Sequence, residues 1–250
     1  MPWGKGATLS KEATAAEEQR IREAYCRRSK SIEPSRYSLF RLSHLLLLQE
    51  LEARLLKVIG KCTHEDLSDK RILEIGCGAG YWLRQFIQWG ATPGNVAGVD
   101  LLPDRISRAR ELCPSGVELQ CREASNLNFS NDSFDIVFQS MAFSSILHTP
   151  MKEAVAKEMM RVVRPQGFIL WYDCFVNNPR NPDVKGIGKG ELGRLFPECR
   201  IQCARITLAP PLGRLLGRFS ASAYRLASSL RVTCTHYLAV IEKKEFDSAG

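Results

Sequence analysis

The chain has 250 residues, 44% hydrophobic and 25% charged, which is ordinary globular composition sized for one α/β domain with an extension, or for two small domains. Its formal net charge of +8 is spread without a long Lys/Arg block, so nucleic acid is not the expected partner. The 9 cysteines are odd in number, none forms a Cys-x-x-Cys pair, and no His stands at ligand spacing from one, which excludes a disulfide framework and a structural zinc site and points to a reducing cytoplasm.

Met1 to Ser10 lacks an apolar signal core. Residues 11–30, rich in Ala, Glu, Arg and Gln, predict a helix behind Ser10 as N-cap. Ile21, Ala24 and Tyr25 give it a thin apolar stripe, read either as a solvated helix or as a lid over a ligand. Residues 29–37 form a connector broken at Pro34. Residues 39–59 predict an amphipathic helix with Leu42, Leu45, Leu46, Gln49, Leu56 and Ile59 near one side and Gly60 as its stop. Gln49, Glu50, Glu52 and Arg54 interrupt the leucine run, so it falls short of the roughly 20 apolar residues of a spanning helix.

Ile72, Leu73 and Ile75 make a short buried strand with Glu74 at its end. Gly76, Gly78 and Gly80 then remove side chains where the backbone must turn sharply and a ligand approach. Leu83, Phe86, Ile87 and Trp89 recur at helical spacing. A nicotinamide-binding turn prefers Gly-x-Gly-x-x-Gly, and the last glycine of that register is Tyr81 here. Residues 96–100 form a second strand ending in Asp100. This carboxylate lies about 20 residues beyond the turn, where an open parallel sheet grips a ribose diol.

A helix then runs from Leu101 through Ile106, Ala109 and Leu112. Residues 117–121 and 133–139 read as the third and fourth strands. A small-residue loop over 140–148 leads to a helix at 152–163, ended by Arg164-Pro165-Gln166-Gly167. The fifth strand is 168–172. Beyond a polar loop through Asn177 and Asn181 come a short helix at 189–196 and two last strands at 199–208 and 233–241. Between these strands, apolar residues from Leu212 to Leu226 stand beside Arg214, Arg218 and Arg225. That segment reads as a wall of an acceptor pocket, a linker, or a peripheral membrane contact. Strand and helix alternate, which predicts an α/β fold: a doubly wound, mostly parallel seven-stranded sheet with ligands beyond the strands' C-terminal ends.

Four stretches in order carry a resemblance: Glu74 to Gly80; Val96 to Asp100; Glu123 to Leu127 with Ser133-Phe134-Asp135; and Arg164 to Gly167. Together they resemble class I S-adenosylmethionine-dependent methyltransferases of the type 11 branch, whose Rossmann-like fold is then expected over residues 39–245. Residues 1–38 become a helical extension or lid, and 246–250 a loose tail. Glu123 stands where that branch has Asp, and Asn128 where it has Pro. The resemblance implies S-adenosyl-L-methionine as cofactor, with Gly76, Cys77, Gly78 and Gly80 facing its methionine part through their backbone. It implies Glu74 for the ammonium, Asp100 for the ribose hydroxyls, Leu101 along the adenine, and Glu123 with the Ala124 N–H for the adenine edge. Ser140 and Met141 would line the floor near the sulfonium.

Simpler roles stay open. Glu74 could pair with Arg71 or Lys70, Asp100 could cap the next helix, Glu123 could be a solvated turn residue, and Ser140 and Met141 could serve packing alone.

A base is needed only for a hydroxyl or protonated-amine acceptor. His148 is the first candidate, and Asp173 and Tyr172 follow; His148 could equally cap a helix. The fourth strand lacks the Asn/Asp-Pro-Pro-aromatic ending of amino-methylating nucleic-acid enzymes, and no Pro-Cys pair is present. The expected reaction is therefore methyl transfer to O or N of a small-molecule or glycan-type acceptor. A non-catalytic cofactor-binding partner and a nicotinamide-dependent oxidoreductase are the alternatives.

Overall fold

The computed structural model describes residues 10–31 and 33–244. The expected tail at 246–250 lies outside them. In chain order the elements are α1 (Lys11–Ser31), α2 (Leu42–Thr63), β1 (Ile72–Ile75), α3 (Tyr81–Gln88), β2 (Val96–Asp100), α4 (Pro103–Leu112) and β3 (Glu118–Cys121). There follow β4 (Phe134–Ser140), α5 (Thr149–Val162), β5 (Val163–Cys174), α6 (Lys189–Leu195), β6 (Cys199–Leu208), α7 (Pro210–Leu216), α8 (Ala221–Ser229) and β7 (Cys234–Lys243).

The seven strands form one sheet in the order β3-β2-β1-β4-β5-β7-β6. β1 pairs in parallel with β2 and β4, β2 with β3, and β4 with β5. β7 runs antiparallel to both of its neighbours, β5 and β6. The doubly wound, mostly parallel seven-stranded sheet expected from the sequence is therefore present. β1 and β2 are buried at every position, as parallel strands covered on both faces must be.

Alternation along the strands divides the core between two faces. Leu73, Ile75, Val99, Ile169 and Trp171 pack with Ile21 of α1, with Val155 and Met159 of α5, and with Phe196. Ile72, Ile136, Phe138, Leu170 and Tyr172 pack with Leu51 and Leu55 of α2 and Phe86 of α3. Burying each Leu, Ile or Phe contributes about 1.5–3 kcal/mol.

Several sequence expectations need correction. α2 does not stop at Gly60 but runs to Thr63, and His64 ends it in the left-handed region at φ 53°. Its buried face is Leu46, Leu51, Leu55, Ile59 and Thr63, while Leu42 and Leu56 are exposed. The leucine run offers apolar residues on every side, so the neighbours choose the face. Arg164 to Gly167 do not separate helix from strand: β5 begins at Val163, and these four residues lie between the Phe134–Val163 and Ile136–Phe168 pairs as an outward excursion. The segment from Leu212 to Leu226 folds as α7 and α8, which pack on α2 through Leu46, Leu208 and Tyr224. Among the described residues, no helix is long and apolar enough to cross a membrane.

Candidate active site

The turn after β1 uses three glycines with positive φ, Gly76 at 72°, Gly78 at 53° and Gly80 at 72°, a region that L side chains with a Cβ enter at a cost of about 1–2 kcal/mol. Space is restricted as well. A Cβ on Gly76 would stand 2.9 Å from the Ala142 Cβ, and one on Gly80 would stand 2.5 Å from the Cys113 Sγ. The turn is tied to the second strand, since the Gly76 and Cys77 N–H groups donate to the Val99 carbonyl at 2.8 and 3.0 Å.

Asp100 completes the turn. Its Oδ2 accepts the Gly78 N–H at 2.8 Å, and its Oδ1 accepts the Leu102 N–H at 2.9 Å, at the start of α4. Each carboxylate oxygen keeps a second lone pair. Asp100 does not cap the helix, whose N-cap is Leu102 without a side-chain cap; it closes the turn just ahead of α4 and faces the cavity beyond the strand ends. Glu74 is buried, its Oε2 has no partner among the described residues, and burial followed by the charge of Asp100 pushes its carboxyl well above the usual carboxylate range.

The cavity has a volume of about 400 Å3, within the usual range for small-molecule sites. Gly76, Asp100, Leu101, Glu123, Ala124, Ser140 and Met141 line it; Glu74, Cys77, Gly78 and Gly80 build the turn without themselves lining it. Glu123 folds onto Ser125, accepting its N–H at 2.6 Å and its hydroxyl. Burial pushes the Glu123 carboxyl up, against the pull of the Ser125 hydrogen bonds. Met141 sits at φ 60°, in a strained left-handed conformation. The buried Gln139 holds it there: the Gln139 Nε2 donates to the Tyr172 carbonyl at 3.2 Å, and its Oε1 accepts the Ala142 N–H at 3.1 Å.

α1 closes one side through the stripe that contains Ile21 and Tyr25, together with Arg28. It is fastened to the loop after β4. Glu17 Oε1 accepts the Leu147 and His148 N–H groups at 2.5 and 3.2 Å, Arg20 donates to the Ser145 carbonyl, and the Tyr25 hydroxyl lies 3.1 Å from the Ser145 hydroxyl. The Arg105 guanidinium stacks over the Tyr25 ring at 4.4 Å, linking α4 to α1. Glu17, Arg20, Arg28, Arg105 and Arg122 were not legible as site residues. Each sits in a sequence context that reads as solvated helix or turn; the fold brings Glu17, Arg20 and Arg28 to the site on α1, Arg105 on α4, and Arg122 just after β3.

The three base candidates are not brought together in the cavity. His148 precedes α5, and its Nδ1 is buried without a partner among the described residues. Asp173 is buried beside the wall: its Oδ2 accepts the Ser144 N–H at 3.0 Å, its Oδ1 the Cys174 N–H at 2.8 Å, and burial raises its pKa to about 6. Tyr172 belongs to the opposite face of the sheet, where its hydroxyl meets the Thr207 hydroxyl at 2.9 Å, and burial pushes its pKa up. Alternation along β5 sends Trp171 toward the cavity face and Tyr172 away from it. Among the described residues, no group of three or more His, Cys, Asp or Glu could hold a metal ion.

Residues 72–167 match the model of a family described as a methyltransferase domain. The chain is 35% identical over 118 residues to the phthiotriol/phenolphthiotriol dimycocerosates methyltransferase of Mycobacterium leprae, covering 46% of this chain and 42% of that protein. It is also 35% identical over 105 residues to the 2-methyl-6-phytyl-1,4-hydroquinone methyltransferase of Synechocystis sp., covering 41% of this chain and 31% of that protein. The chain thus spans less than half the length of these curated relatives. The crystal structure of the PH0226 protein from Pyrococcus horikoshii is similar in fold, with a TM-score of 0.61 at 18% identity, covering 85% of this chain and 97% of that one.

Proposed function

Residues 72–167 are a class I S-adenosylmethionine-dependent methyltransferase domain, and from that premise we propose that the chain transfers a methyl group to O or N of a small-molecule acceptor, glycan-type acceptors included. The observation that carries this reading is the Asp100 carboxylate, fixed at the mouth of the glycine turn and facing a cavity of about 400 Å3.

The residues present fit the cofactor. The glycine turn has no side chains to obstruct a ligand, Asp100 has lone pairs to spare, and the buried Glu74 Oε2 lacks a partner that an ammonium would supply. In the proposal, Gly76, Cys77, Gly78 and Gly80 shape the methionine end and Glu74 takes its ammonium. Asp100 accepts from the ribose hydroxyls, Leu101 lies along the adenine, and Glu123 with the Ala124 N–H meets its edge. Ser140 and Met141 form the floor. When bound, the cofactor supplies a methyl group already activated as a sulfonium.

The chain's own work is then to align the acceptor and exclude water. α1, fastened over the cavity by Glu17, Arg20 and Tyr25, serves the second task. Phe143, Ile146, Met151 and Val155 give the cavity an apolar wall, suited to an acceptor with an apolar part. The names of the two relatives, a dimycocerosate and a phytyl hydroquinone, support that choice. For a hydroxyl or protonated-amine acceptor, His148 is the base candidate, and a shift of the loop after β4 must first bring its ring into the cavity, which it does not line. Asp173 acts by holding Ser144 in the wall, and the Tyr172 hydroxyl takes no part.

Calorimetric titration with S-adenosylhomocysteine tests the cofactor site, and an acceptor screen with labelled cofactor tests transfer. Absence of binding at millimolar concentration ends the reading.

A further inference from the structure

The connector before α2 and the helix α7 meet on the surface. The end of α7 rests on the start of α2, where a Cβ added to Gly217 would stand 2.7 Å from the Ser43 Cβ. Burial, and then the like charge of Arg36, lower the pKa of Arg214, so these two arginines are neighbours as well. α7 sends Leu212, Gly213 and Leu216 inward against Leu46, Leu208 and Tyr224. Leu215 and Phe219 are left outside, 55% and 79% exposed, and beside them Leu39 and Phe40 are 55% and 102% exposed. Single exposed apolar residues are ordinary, but a cluster across two adjoining segments marks an interaction surface.

The charge around this cluster has one sign. Residues 199–241 contain no Asp or Glu, while Arg200, Arg205, Arg214, Arg218, Arg225 and Arg231 fall within them. From 31 to 49 the sole acid is Glu33, already paired with Arg41 at 3.2 Å. Arg36, Arg214 and Arg218 make no ion pair among the described residues. Phe40 is fully exposed and stands clear of the surface, a shape suited to entering a fluid layer.

We propose that this face docks on an anionic lipid bilayer, with Phe40 and Phe219 entering the headgroup region and Arg36, Arg214 and Arg218 meeting lipid phosphates. The docking surface is continuous with the cavity, because Tyr37, between Arg36 and Phe40, lines its wall. Docking therefore brings the cavity wall at Tyr37 to the lipid surface.

The test is co-sedimentation of the full chain with phosphatidylcholine vesicles, with and without phosphatidylglycerol, alongside sedimentation velocity without lipid. Wild type pellets with the phosphatidylglycerol vesicles, less so at high salt, and stays in solution with phosphatidylcholine alone. Phe40→Ser with Phe219→Ser, and Arg214→Glu with Arg218→Glu, each lower vesicle affinity by at least about tenfold, while the melting curve and S-adenosylhomocysteine binding stay at wild-type values. Wild type remaining in solution with anionic vesicles at low salt overturns the proposal, as does binding that neither double variant alters. A dimer in solution that Phe40→Ser with Phe219→Ser dissociates overturns it too, by giving the face to a second copy. None of these outcomes bears on methyl transfer, which the cofactor titration tests separately.

Discussion

The carboxylate of Asp100 holds the N–H of Gly78 at 2.8 Å, so the end of β2 braces the turn that follows β1. The same side chain holds the Leu102 N–H at 2.9 Å, in the turn that leads into α4. One charge organises two backbone corners before any ligand arrives. Hydrogen bonds to a charged group contribute about 1.5–3 kcal/mol each, so the bracing has weight in the folded state itself.

Asp100→Ala removes both functions. Affinity for S-adenosylhomocysteine should fall by about 2 kcal/mol, roughly thirtyfold. Stability should fall by about 1–3 kcal/mol as two N–H groups lose their acceptor. Calorimetry and urea unfolding on the same preparation measure both, and unchanged affinity in a folded variant refutes the ribose role.

Gly76→Ala tests the turn. The new methyl would meet the Ala142 Cβ at 2.9 Å, at a φ of 72° that alanine resists. A stability loss of about 2 kcal/mol is expected from conformation and crowding together. The double variant with Ala142→Gly should recover the crowding part only. A single variant as stable as wild type in urea would contradict both the left-handed conformation at Gly76 and its close approach to Ala142.

Glu17→Ala orphans the N–H groups of Leu147 and His148 and frees Arg20. The attachment of α1 should weaken by about 2 kcal/mol. Hydrogen exchange should quicken across α1 and the loop after β4, leaving β1 and β4 protected. Glu17→Gln keeps one acceptor oxygen and should restore part of the protection. Equal quickening throughout the sheet would mean that Glu17 supports the whole fold rather than the attachment of α1.

Two buried groups give pH dependences of opposite sign. Burial lowers the His236 pKa to about 4, whereas an unfolded histidine titrates near 6.5. The unfolded state then binds the extra proton between those values, so this contribution is complete above about pH 6.5 and is lost as pH falls toward 4. Asp173, raised to about 6, binds its proton more tightly in the fold than the unfolded value of about 3.9 allows. Its contribution is greatest below about pH 4 and is lost as pH rises through 6. Urea midpoints between pH 7 and pH 5 should show that His236→Phe avoids about 2 kcal/mol of the acid loss. Asp173→Asn should instead gain about 1 kcal/mol on wild type as pH rises over that range. Slopes of the reverse sign would contradict the burial of these groups.

The glycine turn and Asp100 were legible because their constraints are local and directional: positive φ at fixed spacing, then a carboxylate at the next strand's end. The doubly wound, mostly parallel sheet followed from the alternation of elements, though its strand order did not. The face of α2 was not legible, because Leu45 to Leu48 supply apolar surface all round and only α7, α8 and β6 decide what is covered. Tyr172 passed as a site residue because sequence places it at a strand end, while the pleat sends it to Thr207. Gln139 and Glu17 escaped notice for a related reason: a polar residue on a strand or helix looks solvated until its partners across the chain are known.

The hydrogen bonds from α1 to the loop after β4 join residues more than a hundred positions apart in sequence. During synthesis the first helix therefore emerges long before its docking partner exists. Closing so large a loop carries an entropic cost, which the attachments of α1 through Glu17, Arg20 and Tyr25 must offset. Proteases should cut there first, leaving a shortened but still compact remnant.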